Sequence, residues 1–279
     1  MDFARRIDAL RARMEQHGVE LVCLARGADL FYLTGIRRPL EHGTDHNAYG
    51  DWASVGLVGR HGGIVVLAPR MGGGFYREEA QSKPWVSEVR LILESEDPAD
   101  VLRRAVRSVA GSPRRVALDD RLWARTVLEL RRILPEAEFS FASELTAPLR
   151  MIKDQEEIAA IRRAAELADR AFEAVVRHLV PGVTEFEVAL EVERQFTLLG
   201  AEYTSFETGV FFIGEGEPRR ETTTRSSTAR RLRPGDSVMF DFGCVLDGYC
   251  SDFGRCAFVG EPPDEYRRIH ALVLQAQAE

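Results

Sequence analysis

Two kinds of hydrophobic spacing alternate over the first 145 residues. Phe3, Ile7, Leu10 and Met14 recur every three or four positions, the stripe of an amphipathic helix that ends near Gly18. Residues 19–25 (VELVCLA) follow as a continuous apolar run, which predicts a buried strand. Residues 28–36 (ADLFYLTGI) form a short apolar segment leading into a polar loop over 37–52. Residues 61–69 (HGGIVVLAP), 115–120 (RVALDD) and 137–141 (AEFSF) read as further strands. Between them Asp97 is placed to cap a helix that has Pro98 in its first turn and runs to Gly111, and residues 123–134 carry another helical pattern. The glycines of Met71–Phe75 (MGGGF) lack the Gly-Lys-Ser/Thr of a phosphate loop and predict a tight connection. Such alternation predicts an α/β layer domain over residues 1–145.

The texture changes near Ser143. Residues 142–180 hold a long helical pattern, interrupted early by Pro148 and stopped by Pro181-Gly182. Thr184 and Glu187 form a T-x-x-E capping box for a helix over 185–200. A β-like run (TGVFFIG, 208–214) and an Arg/Thr-rich loop come next, and residues 262–279 predict a last helix. That helix stops without a cap or a glycine, the ending expected of a chain cut short. Residues 146–279 are expected to form a second, incomplete α+β domain.

Within this second half, residues 236–256 read DSVMFDFGCVLDGYCSDFGRC. Two apolar runs flank Asp247-Gly248, the signature of a two-residue type I′ hairpin turn. If Leu246 faces Tyr249, Asp252 lies opposite Gly243, on the same face as Asp241 because side chains alternate with period two. The two carboxylates are then diagonal neighbours about 7–8 Å apart at the backbone, with the glycine leaving room between them. Like charges brought together in a strand raise each other's pKa, and a divalent cation removes that penalty. All-oxygen ligation suits hard or borderline metals such as Mn²⁺, Mg²⁺ or Zn²⁺. The plainer alternatives are two aspartates exposed on an edge strand, or Asp252 paired with Arg255. Cys250 and Cys256 share the parity of Asp252 and are expected as small buried residues.

Composition narrows the function. The 279 residues are 45% hydrophobic and 29% charged with a net charge of −7, which argues against a non-specific nucleic-acid binder. No apolar run approaches the roughly 20 residues of a membrane span, and the N-terminus has no signal-peptide core, so a cytoplasmic location is expected. The four cysteines show no C-x-x-C spacing and are expected as free thiols.

The element DFGCVLDGYCSDFGR resembles the D-x-G…G-Y-x-S-D-x-x-R segment of the creatinase/Xaa-Pro aminopeptidase family of pita-bread metallohydrolases. The start (RIDALRARMEQHGVELVCLARGADLFYLTGI), the junction (LRMIKDQEEIAAIRRAAELADRAF), PGVTEFEVA and LGAEYTSFETGV are similar to that family's segments in the same order. The resemblance implies a creatinase-like N-terminal domain followed by a pita-bread domain. For the complete protein it further implies two divalent ions (Mn, Co or Zn), with Asp241 binding one and Asp252 bridging both, and hydrolysis of Xaa-Pro peptides by a metal-bridging hydroxide. The family's other ligands, a histidine and two glutamates, lie further along than residue 279, and His270 in its helix is no substitute. Arg255 and Tyr249 are candidates to orient a ligand or substrate. His42 and His46, in the loop 41–52, are candidates to line the site of the partner in a homodimer, against the plainer reading of a polar loop. The loop before Asp241 has no histidine, where peptidase members typically carry one, and offers arginines and hydroxyls suited to an anion. A non-catalytic binding protein and a creatinase-like hydrolase of a non-peptide C–N bond are the alternative readings.

Overall fold

All five residues of β1 (Leu21–Ala25) are buried, and they divide the first core in two. Val22 and Leu24 pack with Ile7, Leu10 and Met14 of α1 (Phe3–Gln16), whereas Leu21 and Cys23 pack with Val101, Leu102, Ala105 and Val106. A sheet covered on both faces has no polar side, which is why this strand shows no period-two pattern. The computed structural model describes residues 1–37, 48–214 and 226–279, in two units, Met1–Lys153 and Asp154–Glu279.

The first unit continues through α2 (Ala28–Thr34), β2 (Val55–Gly59), β3 (Ile64–Pro69), α3 (Arg70–Ala80), β4 (Val86–Ile92), α4 (Pro98–Ala110), β5 (Arg115–Leu118), α5 (Ala124–Ile133), β6 (Glu138–Phe141) and α6 (Ser143–Met151). Its six strands lie in the order β4-β3-β2-β1-β5-β6. The β1–β2 and β2–β3 pairs are antiparallel, and β3–β4, β1–β5 and β5–β6 are parallel. Asp97 caps α4 as expected, accepting the Ala99 N–H at 2.9 Å. The apolar segment after β1 is itself a helix, α2, closed by Gly35 in the left-handed region (φ 69°). The glycine run makes the expected tight connection after β3: Met71 and Gly72 (φ 82°) leave helical geometry with the angles of a type II turn, and α3 continues beyond them.

Pro148 does not interrupt the helical pattern where the sequence suggests. Helix α6 runs through it, and the break falls at residues 152–154, before α7 (Gln155–Val175). Proline deprives the Glu144 carbonyl of its intrahelical donor, and the guanidinium of Arg13 on α1 takes that place at 3.0 Å. The new start is fixed by a capping box in which Glu157 accepts the Asp154 N–H at 2.9 Å and Asp154 accepts the Glu157 N–H at 2.8 Å.

The second unit adds α8 (Glu185–Leu199), β7 (Tyr203–Thr204), β8 (Gly209–Ile213), β9 (Ser237–Phe242), β10 (Cys244–Leu246), β11 (Tyr249–Cys250), β12 (Phe253–Phe258) and α9 (Asp264–Ala278). The expected Thr184–Glu187 capping box starts α8. Its first residue, Glu185, is fully buried and accepts two backbone N–H bonds, from Phe212 on β8 at 2.8 Å and from Ser227 at 2.7 Å. One carboxylate thus ties helix, strand and the returning loop together. Helix α9 buries none of its residues.

Replacing Glu185 by alanine leaves two buried donors unpaired and is expected to cost about 2–4 kcal/mol. Hydrogen exchange at the Phe212 and Ser227 amides, with chemical denaturation, measures it; unchanged protection at both would contradict this role.

Candidate metal-ligating hairpin

The turn has the expected geometry. Leu246 pairs with Tyr249 and Val245 with Cys250, and Asp247 (φ 52°) and Gly248 (φ 75°) both take the positive φ of a type I′ turn. Beyond the turn the two strands do not run on in one sheet. Strands β11-β10-β7 form one three-stranded sheet and β12-β9-β8 another.

The chain changes sheet at Gly243 and at Ser251-Asp252. The Ser251 N–H donates to the Cys244 carbonyl at 2.8 Å, the Ser205 N–H to the Gly243 carbonyl at 3.0 Å, and the Ser205 hydroxyl to the Ser251 carbonyl at 2.9 Å. A Cβ on Gly243 would stand 2.1 Å from the Ser251 carbonyl oxygen and 2.3 Å from the Ser205 hydroxyl. The expectation that this glycine leaves room for a metal cluster is therefore corrected: the space beside it is filled by backbone, and glycine is there because nothing larger fits.

Register then fixes the aspartates. Phe253 pairs with Phe242, Gly254 with Asp241 and Arg255 with Phe240. Val238, Phe240 and Phe242 point inward, where Phe172 of α7 meets Phe240 edge-on at 5.3 Å and Phe196 of α8 meets Phe242 at 5.6 Å. Phe242 and Phe253 stack at 4.7 Å with their planes 15° apart. Each such aromatic pair contributes about 0.5–1.5 kcal/mol beyond its burial. With Phe240 and Phe242 inside, Asp241 must face out. It sits on the central strand of its sheet, between Gly209 of β8 and Gly254 of β12. Asp252 lies between buried Ser251 and buried Phe253, so alternation turns it to the same side. Both carboxylates are exposed, on a face that also shows Ile213, Met239 and Cys256 to solvent.

The other candidates separate. Arg255 alternates to the opposite, helix-facing side; its guanidinium lies over the Phe253 ring at 4.5 Å and 3.6 Å from Asp169 of α7. It pairs with neither aspartate of the hairpin. Tyr249 donates its hydroxyl to Glu157 at 3.0 Å, which binds the hairpin tip to the cap of α7. The D-x-x-E pattern at Asp154–Glu157 signals that cap in the sequence, though not its tyrosine partner. Cys250 and Cys256 are exposed, not buried as expected; Cys23 and Cys244 are buried, and none of the four forms a disulfide. The reason is that the face carrying Cys256 is open to solvent. His270 is exposed on α9, stacked on Tyr266 at 6.5 Å. His42 and His46 lie outside the described residues. Of the Arg/Thr loop, residues 215–225 also lie outside them. Arg230 forms a nearly buried ion pair with Asp236 at 3.0 Å, and Arg231 donates to the Gly182 carbonyl at 2.7 Å.

Two carboxylates match the oxygen chemistry of a hard divalent ion. They do not close a site by themselves: among the described residues no group of three or more His, Cys, Asp or Glu side chains could hold a metal ion. Also among the described residues, no helix is long and apolar enough to cross a membrane.

Gly243→Ala is expected to destabilise the second unit by about 3 kcal/mol, because the added methyl meets backbone that cannot turn aside. Urea denaturation measures it; a loss below about 0.5 kcal/mol would show the corner to be loosely built.

Residues 6–152 match the Creatinase/Prolidase N-terminal domain and residues 159–279 match metallopeptidase family M24. An uncharacterised peptidase of Staphylococcus aureus (strain USA300) is 30% identical over 221 residues, 79% of this chain and 59% of that protein. The chain thus spans about three fifths of the length of the curated relatives it matches. Among solved structures, a prolidase from Thermococcus sibiricus is 30% identical with a TM-score of 0.82, over 100% of this chain and 71% of that one. A dipeptidase from Pyrococcus horikoshii OT3 is 26% identical with a TM-score of 0.77, over 98% and 70%. Family M24 membership suggests divalent metal ions. With a creatinase-type α/β domain and, after it, part of an M24 domain that contains the hairpin, the chain belongs to the creatinase/Xaa-Pro aminopeptidase family.

Proposed function

We propose that this chain contributes Asp241 and Asp252 as metal ligands to a metallopeptidase that removes the residue preceding proline from short peptides. The observation that carries this reading is the pair of exposed carboxylates on one face of the hairpin, in a chain of a metallopeptidase family. The names of similar structures, a prolidase and an Xaa-Pro dipeptidase, support proline-containing peptides as the substrate class. The oxygen donors suit Mn²⁺, Co²⁺ or Zn²⁺, and a bound divalent ion supplies positive charge to polarise a scissile carbonyl. Asp241 is held by pairing on both sides of its strand, and Asp252 by the stacked Phe253 next to it, so the two donors are presented without side-chain packing of their own. A homodimer in which His42 and His46 approach the partner's site belongs to the same proposal.

Xaa-Pro dipeptide turnover and Mn²⁺ uptake by equilibrium dialysis, both measured on the full-length enzyme that carries the remaining ligands, test it. Chelation is expected to abolish turnover, and added Mn²⁺, Co²⁺ or Zn²⁺ to restore it. Asp241→Asn and Asp252→Asn are each expected to weaken metal affinity more than about 10-fold. Turnover that survives chelation, or uptake unchanged in both variants, overturns the proposal.

A further inference from the structure

A cavity of about 150 Å³ lies inside the first unit, with Arg26, Asp51, Trp52, Ser54, Arg121 and Trp123 in its lining. It opens beyond the carboxyl ends of β1 and β5, a parallel pair, which is where ligands of open α/β sheets collect. None of the hairpin residues takes part in it.

Three features make it more than a surface dent. The hydroxyl of Ser54 lines it, is 94% buried by residue (6% exposed) and has no hydrogen-bond partner. A buried hydroxyl without a partner costs about 1–3 kcal/mol, a cost that a ligand atom accepting or donating there would remove. The cationic groups are unevenly matched. Arg26 is neutralised by Asp51 at 2.6 Å, and Arg125 lies over the Trp52 ring at 4.6 Å. Among the described residues neither Arg125 nor Arg121 has an ion-pair partner, and Asp119 nearby already accepts the N–H groups of Ala25 at 3.2 Å and Arg121 at 2.9 Å. Finally, the walls are indoles, with Trp52 buried and Trp123 half exposed.

We propose that this cavity binds a small carboxylate carrying an aromatic or alicyclic body. The planar fork of Arg121 matches a carboxylate bidentately, the indoles cover the apolar part, and Ser54 supplies the inner hydrogen bond. The volume equals the liquid share of about five waters, below the ~300 Å³ where drug-sized ligand pockets begin, so the ligand is of benzoate size.

Tryptophan fluorescence reads the site directly, since two of the three tryptophans line it and Trp85 stacks on Phe3 elsewhere. With Trp85→Phe as background, sodium benzoate is expected to give a saturable change below about 10 mM. Benzamide, its uncharged counterpart, and inorganic phosphate are expected to bind at least about 10-fold more weakly, and Arg121→Ala to raise the benzoate Kd by a similar factor. Ser54→Ala keeps the fold and is expected to raise that Kd about threefold or more. No saturable change, equal binding of benzamide or phosphate, or a Kd unmoved by both substitutions overturns the proposal.

Discussion

The close approach of two backbone segments at Gly243 governs the second unit. Because the Ser251 carbonyl occupies the space where a side chain would be, the hairpin can bend there and join two sheets instead of one. The bend brings Phe242 and Phe253 face to face on the inside, against the aromatic residues of α7 and α8. Once those rings are inside, period-two geometry leaves Asp241 and Asp252 no direction but outward. The placement of the two acids is thus a consequence of packing done by their neighbours. It needs no interaction between the acids themselves, which would repel each other in the absence of a cation.

Elsewhere in the chain, charged side chains take on the same kind of connecting work. Glu185 closes two strand and loop amides, Glu157 joins a helix cap to the hairpin tip, and Arg13 replaces the donor that Pro148 lacks. Each is a polar group whose partner lies far away in sequence. Where the partners are buried, as for the two amides that Glu185 accepts, losing the acceptor costs more than the bond itself is worth.

Those long-range partners also explain what could and could not be read beforehand. The turn at Asp247-Gly248, the capping box at Thr184 and the register that faces Asp241 with Gly254 follow from local spacing, and local spacing is present in the text. Strand β2 has no clear signal in the sequence because Gly56 and Gly59 dilute its apolar run, and β4 has none because Ser87, Glu88 and Arg90 on a sheet edge resemble a loop. The direction of Arg255 could be inferred from parity, but its partner Asp169 is on a helix more than eighty residues earlier. The exposure of Cys256 depends on what covers a sheet face, and no spacing rule contains that information.

The most direct test of the account is paramagnetic broadening by Mn²⁺ at sub-stoichiometric ratio, followed on backbone amides. Broadening centred on residues 241 and 252, and lost in both Asp241→Asn and Asp252→Asn, is the predicted result. Broadening centred elsewhere, for example around Asp29, Asp119 and Asp120, or unchanged in the two variants, would contradict it.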